Sequence, residues 1–286
     1  MMEKDLRREQ ERYKLGNTYR EIPLREKMKF EIHLTEHCNL NCKYCSHFSP
    51  LANEEYLSLE EYERDLSRLS HLFGGQMQQI KLLGGEPLLH PQINSFMEVS
   101  RKYFTDAVIK ILTNGTLLHK MDDEFWKTCH DTGTHILHSK YPISYDEAKI
   151  VEKALKFQVL IEMADQMEGN ESGIETMVHE PIDVEGKQNA IINFYACTRP
   201  NSCITLKHGK LYTCNRAAHM HILKDYFGLD IKIEESNGID IYKAGTAQEI
   251  LEYMIKPIPM CVYCDIEHIT MGHEWGTSKK DISEWV

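Results

Sequence analysis

The sequence predicts an α/β protein: a partial (β/α)6 barrel of the TIM type, followed by a small cysteine-rich C-terminal domain. Three observations predict it. Short apolar runs alternate with amphipathic helical periods between residues 30 and 195, most of these runs close on a glycine or polar turn, and eight of the nine cysteines fall into two groups. Six strand–helix units are too few to close an eight-stranded barrel. The sheet is therefore expected to stay open, with its chemistry at the carboxyl ends of its strands.

Residues 1–29 are polar and charged and read as an arm or helix ahead of the core. Phe30, Ile32 and Leu34 alternate with polar residues as a first strand. Ser58 and Glu61 form a capping box for a helix that carries Tyr62, Leu66, Leu69 and Phe73 on one face. Ile80–Leu83 is a second strand ending in Gly84-Gly85, and Pro91 opens a helix with Ile93, Phe96, Met97 and Phe104. Val108–Leu112 is a third strand ending in Asn114-Gly115, and Phe125, Trp126 and Cys129 mark the next helix, where Cys129 is expected to pack in the core. Ile136 and Leu137 form a fourth strand. Ser144 and Glu147 cap a helix with Ile150, Val151, Ala154 and Leu155, Val159–Ile161 is a fifth strand, and Ile191–Phe194 a sixth. Between the last two, residues 164–190 are polar and glycine-containing, a loop or lid.

From residue 196 to 286 the pattern changes. Ile204–Thr213 reads as a hairpin turning at His208-Gly209. Thr246 and Glu249 cap a helix with Ile250, Leu251 and Met254, which Pro257 and Pro259 stop. Five cysteines punctuate this region.

Composition bounds the function. Apolar residues make up 42% of the 286, enough for a packed core, and the formal charge is −11 with no basic run interleaved with aromatics, which argues against a nucleic-acid partner. The opening MMEKDLRREQER lacks the apolar stretch of a signal peptide, and no segment approaches the ~20 apolar residues that span a bilayer. The expectation is a cytoplasmic protein without a membrane partner. In that reducing compartment the cysteines call for metal or cluster ligation rather than disulfides.

Cys38, Cys42 and Cys45 form C-x3-C-x2-C in the loop after the first strand. Three thiolates on one loop suit an iron–sulfur cluster or zinc. A closed zinc site needs a fourth ligand, for which His37 and His47 are the nearest candidates, whereas a cubane on three thiolates keeps one iron open to substrate. Tyr44 directly precedes the last cysteine. Downstream, Gly84-Gly85-Glu86-Pro87 closes the second strand: glycines there admit close approach to the backbone, and Glu86 can accept hydrogen bonds from an ammonium.

Together these segments resemble the radical S-adenosylmethionine (radical SAM) superfamily over roughly residues 28–165: C-x3-C-x-aromatic-C after strand one and Gly-Gly-Glu-Pro after strand two. The resemblance implies a [4Fe–4S] cluster on Cys38, Cys42 and Cys45, with its open iron chelated by the amino and carboxylate groups of S-adenosylmethionine. It implies cofactor contacts from Tyr44, Gly84, Gly85, Glu86 and Pro87. Thr113-Asn114 in TNGTLL and Ser139 after the fourth strand occupy further positions of that kind, although the HSKYP around Ser139 departs from the family's common Ser-Leu-Asp-Gly.

Cys197, Gly209 and Cys214 give C-x11-G-x4-C, followed later by Cys261-x2-Cys264. This resembles the auxiliary-cluster extension of radical enzymes, in its one-cluster "twitch" form rather than the longer SPASM form. It implies one auxiliary [4Fe–4S] cluster on Cys197, Cys214, Cys261 and Cys264. Cys203 is left over: a replacement ligand for Cys197, a hydrogen donor to a substrate radical, or an inert thiol.

The resemblance implies an oxidoreductase or epimerase. Cleavage of S-adenosylmethionine yields a 5′-deoxyadenosyl radical that abstracts hydrogen from a substrate carbon, and the outcome is oxidation or epimerisation of a sugar- or aminocyclitol-like small molecule. Glu162, Lys140, Tyr141 and the 164–190 loop are the candidates for a base. A flavodoxin- or ferredoxin-type protein is the implied electron donor. One alternative is a maturase of ribosomally made peptides, which the 29 residues ahead of the first strand disfavour because such enzymes often carry a longer recognition domain there. An alternative of another class is a zinc-stabilised binding module or an electron carrier, neither of which needs Gly84–Pro87.

Overall fold

The structure, a computed structural model, describes residues 23–164, 174–200 and 202–286. Most of the expected N-terminal arm and part of the 164–190 loop lie outside the described residues.

The first half follows the expected alternation. Strand β1 (Lys29–Thr35) is followed by helix α1 (Leu59–Phe73), β2 (Gln79–Gly84), α2 (Ile93–Tyr103), β3 (Val108–Thr113), α3 (Asp123–Thr132), β4 (Thr134–His138), α4 (Glu147–Phe157) and β5 (Ile161–Met163). Ser58 caps α1 by accepting from the Glu61 N–H at 3.1 Å, and Gly74 ends it in the left-handed conformation. Helix α4 is capped by Asp146, which accepts from the Lys149 N–H at 2.9 Å, and not by Ser144. Strand β5 begins two residues later than the apolar run suggests.

The five strands pair in parallel, in sequence order. Their alternation separates two faces. On one, Phe30, Ile32, Leu34, Ile80, Leu82, Ile109, Ile111 and Ile136 form one core with Tyr62, Leu66, Phe96, Phe125 and Trp126 of α1–α3. Burying each such side chain contributes about 1.5–3 kcal/mol. Cys129 packs here as expected, with its Sγ 3.6 Å from Met97 Sδ. On the other face the register aligns Glu31, Lys81, Lys110 and His135 across four strands.

The sixth parallel strand is not Ile191–Phe194. That segment lies in helix α5 (Ala190–Ala196), because the Asn189 side chain accepts from the N–H groups of Ile191 and Ile192 at 3.0 and 3.1 Å and nucleates a turn. After β6 (Met177–His179), the sixth parallel strand is β7 (Thr205–Lys207), which pairs with the free edge of β1. With β8 (Lys210–Tyr212) it makes the expected hairpin, and β9 (Gly238–Asp240) extends the sheet to eight strands. The expected boundary at residue 196 is thus spanned by one continuous sheet.

Helix α6 (Asn215–Phe227) follows the hairpin, and α7 (Ala247–Met254) is capped by Thr246 as expected. Strand β10 (Thr270–His273) pairs antiparallel with β6. A second core, with Phe48, Leu51, Met220, Leu223, Ile258, Met260, Tyr263 and Trp285, joins the first cysteine loop, α6, the last cysteine pair and the C-terminal tail.

Candidate active site

The carboxyl ends of β1–β4 open into a cavity of about 290 Å³. Its wall includes Cys38, Cys42, Tyr44, Cys45, Gly84, Gly85, Asn114 and Ser139, so most of the residues singled out in the sequence converge there. Three non-glycine residues with positive φ, Asn41, Tyr44 and Phe48, coil the cysteine loop tightly enough to bring its three thiols to one wall.

The Gly-Gly turn serves a steric purpose. Thr35 at the end of β1 accepts from the Gly85 N–H at 2.9 Å, and the Glu86 N–H donates to the His37 carbonyl at 3.1 Å. A Cβ on Gly84 would stand 2.2 Å from the Thr35 carbonyl oxygen, and one on Gly85 would stand 1.9 Å from that of His37. Glycine is required because the end of β2 lies against the backbone that leads into the cysteine loop.

Glu86 and Pro87 do not line the cavity. The Glu86 carboxylate is fully buried: it accepts from Leu88 N–H at 3.1 Å, Thr113 Oγ1 at 2.7 Å and Asn114 N–H at 3.0 Å. Burial pushes its pKa up to about 7 against those three bonds. The side chain expected to meet an ammonium instead ties the end of β2 to the end of β3 and holds Asn114 in place. The Asn114 amide then reaches Asn39 Oδ1 at 2.9 Å and lies 3.8 Å from Cys38 Sγ.

Of the two candidate fourth ligands, His47 lines the cavity and His37 does not. His37 packs edge-on against Tyr56 away from the cavity, and His47 Nδ1 lies 2.6 Å from His33 Nε2. His33 belongs to a buried group in which Glu36 Oε2 lies 3.0 Å from His33 Nδ1 and 3.1 Å from His219 Nδ1, while Lys207 pairs with the other Glu36 oxygen. The rings of His33 and His219 stack at 3.6 Å and 16°. A metal lies in the plane of each imidazole that binds it, and two nearly parallel stacked planes share no such point. With Lys207 already on the carboxylate, the group is a charge network rather than a metal site.

The opposite wall holds Tyr141, one of the candidate bases, Met177, Val178 and Glu180 from the expected loop, and Arg199, which the sequence did not reveal. Arg199 makes a two-point ion pair with Glu180, and Arg216 adds a second guanidinium at 3.2 Å. The only sequence signal was proximity, since Arg199 and Arg216 each lie two residues after a cysteine. Of the candidate bases, Tyr141 lines the cavity, whereas Glu162 is held by Lys110 and His135 at 2.7 Å each and Lys140 by Glu147 at 2.9 Å.

The second cysteine group also gathers. Burial, and after it the neighbouring Cys264, Cys261 and Cys197, push the Cys214 thiol up. The Asn193 amide donates to the carbonyls of Cys261 and Cys264 at 2.8 and 2.5 Å. Cys203 has different surroundings: apart from burial, the charges that act on it most are those of Glu31, Arg199 and Lys81.

A parallel α/β sheet with three thiols converging at its carboxyl end is the arrangement expected of a domain of the resembled class. Residues 32–165 match the family model of the Radical SAM superfamily, and this domain belongs to it. Over 93 residues it is 37% identical to a probable GTP 3′,8-cyclase of Pyrococcus abyssi, covering 32% of this chain and 29% of that one. It is 29% identical over 147 residues to the GTP 3′,8-cyclase of Helicobacter pylori, covering 50% and 42%. The chain thus spans less than half the length of these curated relatives. In fold it is similar to BtrN, solved in complex with AdoMet and 2-DOIA, with a TM-score of 0.50, 15% identity, and coverage of 84% of this chain and 93% of that one.

Enzymes of this superfamily use a [4Fe–4S] cluster and S-adenosylmethionine. The donor set here fits such a group. Burial pushes Cys38 and Cys42 each up to about 12, the three thiols disfavour one another's ionisation, and a cationic centre is what would hold all three as thiolates. No described helix is long and apolar enough to cross a membrane.

Proposed function

We propose that the protein is a radical SAM enzyme with two [4Fe–4S] clusters that activates a C–H bond of a small-molecule substrate, with epimerisation or oxidation as the outcome. In this reading Cys38, Cys42 and Cys45 hold the first cluster, and Cys197, Cys214, Cys261 and Cys264 the second. Tyr44, Gly84, Gly85, Asn114 and Ser139 surround S-adenosylmethionine, with Glu86 and Pro87 bracing them from behind. Residues 30–195 supply the first five barrel strands, and 196–286 supply the sixth parallel strand together with the auxiliary region. A flavodoxin- or ferredoxin-type protein supplies electrons.

One observation carries the reading: a single cavity has the first three cysteines on one wall and, on the other, Arg199, whose backbone N–H lies 3.5 Å from Cys197 Sγ. When bound, the reduced first cluster supplies the electron that cleaves S-adenosylmethionine to methionine and a 5′-deoxyadenosyl radical. The chain orients the substrate between the two cysteine groups. In epimerisation the Cys203 thiol returns a hydrogen atom to the face opposite the abstraction, and its sulfur radical regains one electron from the flavodoxin- or ferredoxin-type donor and one proton from solvent. In oxidation, a cluster held by Cys197, Cys214, Cys261 and Cys264 would supply an acceptor for the one electron that the substrate radical gives up, and a base such as Tyr141 would take the proton.

The test is anaerobic reconstitution followed by turnover of a panel of carbohydrate-like compounds and peptides in deuterated water. About eight irons per chain are expected, four per cubane. Cys42→Ala is expected to abolish 5′-deoxyadenosine formation. Cys203→Ala is expected to keep 5′-deoxyadenosine formation but lose deuterium incorporation into product, whereas a product two mass units lighter identifies oxidation. A colourless, zinc-loaded protein would refute the reading. The names of the curated relatives favour a second reading, cyclisation of GTP, and consumption of GTP in the same panel would select it.

A further inference from the structure

We infer that the C-terminal tail tunes the first cluster through Trp275, a positioning residue whose indole N–H donates to Cys42 Sγ at 3.1 Å. The inference rests on the ligand assignment proposed above. It concerns a residue 233 positions from the cysteine it meets, outside both cysteine motifs.

The contact is built rather than incidental. Strand β10 pairs with β6, whose Met177 and Val178 wall the cavity, so the tail enters over the site. Beyond Trp275 it runs along the cysteine loop: the Lys43 N–H donates to the Gly276 carbonyl at 2.7 Å, and the Ser278 N–H to the Asn41 carbonyl at 2.7 Å. At its end the fully buried Trp285 donates from its indole to the Cys45 carbonyl at 2.9 Å, and its own carbonyl accepts from the Ile182 N–H at 2.7 Å. The tail therefore grips the loop on both sides of Cys42. Trp275 is also 6.2 Å from the ring of Tyr141 on the opposite wall.

A cluster's sulfur ligands carry much of its negative charge, and reduction adds to it. A hydrogen bond donated to a ligand sulfur stabilises the reduced form more than the oxidised form and raises the reduction potential. Of the two tail indoles, only that of Trp275 donates to a sulfur. Trp285 donates to a backbone oxygen and serves the loop's position alone.

The experiment is an anaerobic redox titration of the reconstituted full chain, followed by electron paramagnetic resonance. The first cluster is identified as the signal that changes on adding S-adenosylmethionine. Trp275→Phe keeps the ring and removes the donor. Its potential is expected to shift to a more negative value, with iron content and circular dichroism as in the wild type. Trp275→His restores a ring N–H and is expected to recover part of the shift. Trp285→Phe is expected to leave the potential in place. An unchanged potential in Trp275→Phe, or an equal shift in Trp285→Phe, overturns the inference while leaving the ligand assignment intact. A wild-type protein with no signal responsive to S-adenosylmethionine overturns both.

Discussion

Replacing Gly85 with alanine tests whether the end of β2 sets the position of the cysteine loop. The added Cβ would lie 1.9 Å from the His37 carbonyl oxygen, 2.2 Å from its carbon and 2.7 Å from the Cys38 nitrogen. All three are backbone atoms, so no side-chain rotation relieves the clash. Reaching an ordinary contact of about 3.4 Å demands that the His37–Cys38 peptide retreat by about 1.5 Å. That movement breaks the 3.1 Å hydrogen bond from the Glu86 N–H to the His37 carbonyl. Overpacking costs about 1–3 kcal/mol and the lost bond about 1 kcal/mol, so the expected destabilisation is about 2–4 kcal/mol. At roughly 2–4 °C per kcal/mol, Tm falls by about 4–16 °C. The same displacement carries Cys38 away from Cys42 and Cys45, so Gly85→Ala is also expected to bind less iron on reconstitution while the second cysteine group still loads. Thermal unfolding of the apo-protein and iron analysis read the two effects separately. A Tm within a degree of wild type together with full iron loading would refute the steric role assigned to Gly85.

Two further perturbations address the surroundings of the site. Burial holds both His47 and His219 well below their ordinary value of 6.5, so both are neutral when folded and take up protons on unfolding below that pH. The unfolded chain binds more protons, so stability falls on acidification, by about 1–3 kcal/mol for the pair between pH 7 and 5.5; equal denaturation midpoints at the two pH values would contradict this. Cys129→Ala is expected to destabilise the fold by about 1 kcal/mol through a small core cavity beside Met97 while leaving iron content unchanged; iron loss in this variant would mean that Cys129 takes part in ligation.

The parts of the fold that local chemistry fixes were legible in the sequence. Alternation marked β1, apolar runs marked β2 to β4, and Ser58, Thr246 and His208-Gly209 marked two helix starts and a hairpin. Where two local signals competed, the reading failed: Ile191–Phe194 is apolar enough for a strand, but Asn189 caps it as a helix. Helix α6 was missed because Asn215, Arg216 and His219 are buried in it beside Ala217, Met220 and Leu223, which erases the usual polar and apolar faces. In the site, the cysteine spacings were visible because each set of partners comes from short segments. The roles of Glu86 and Trp275 were not, because the donors to Glu86 include Thr113 and Asn114 at the end of another strand, and Trp275 meets Cys42 across almost the whole chain.

The charges between the two cysteine groups carry an argument of their own. Arg199 and Arg216 share one carboxylate, Glu180. Burial works to raise its pKa, yet the two guanidiniums hold it below the usual carboxylate range, so it is ionised. The set therefore carries two positive charges against one negative in a buried place, and Arg216 Nε has no hydrogen-bond partner among the described residues. An uncompensated buried guanidinium is costly. The nearest complement is sulfur: Arg216 Nη1 lies 3.9 Å from Cys264 Sγ, and Cys214 and Cys203 are among the groups acting on Arg199. Neutral thiols supply little of the missing charge, whereas thiolates on a metal centre supply it directly. The positive surplus beside Cys197, Cys214 and Cys264 thus favours a group that keeps those sulfurs anionic. Because Arg199 also walls the cavity at the first cysteine loop, the same charges couple the electrostatics of the two groups.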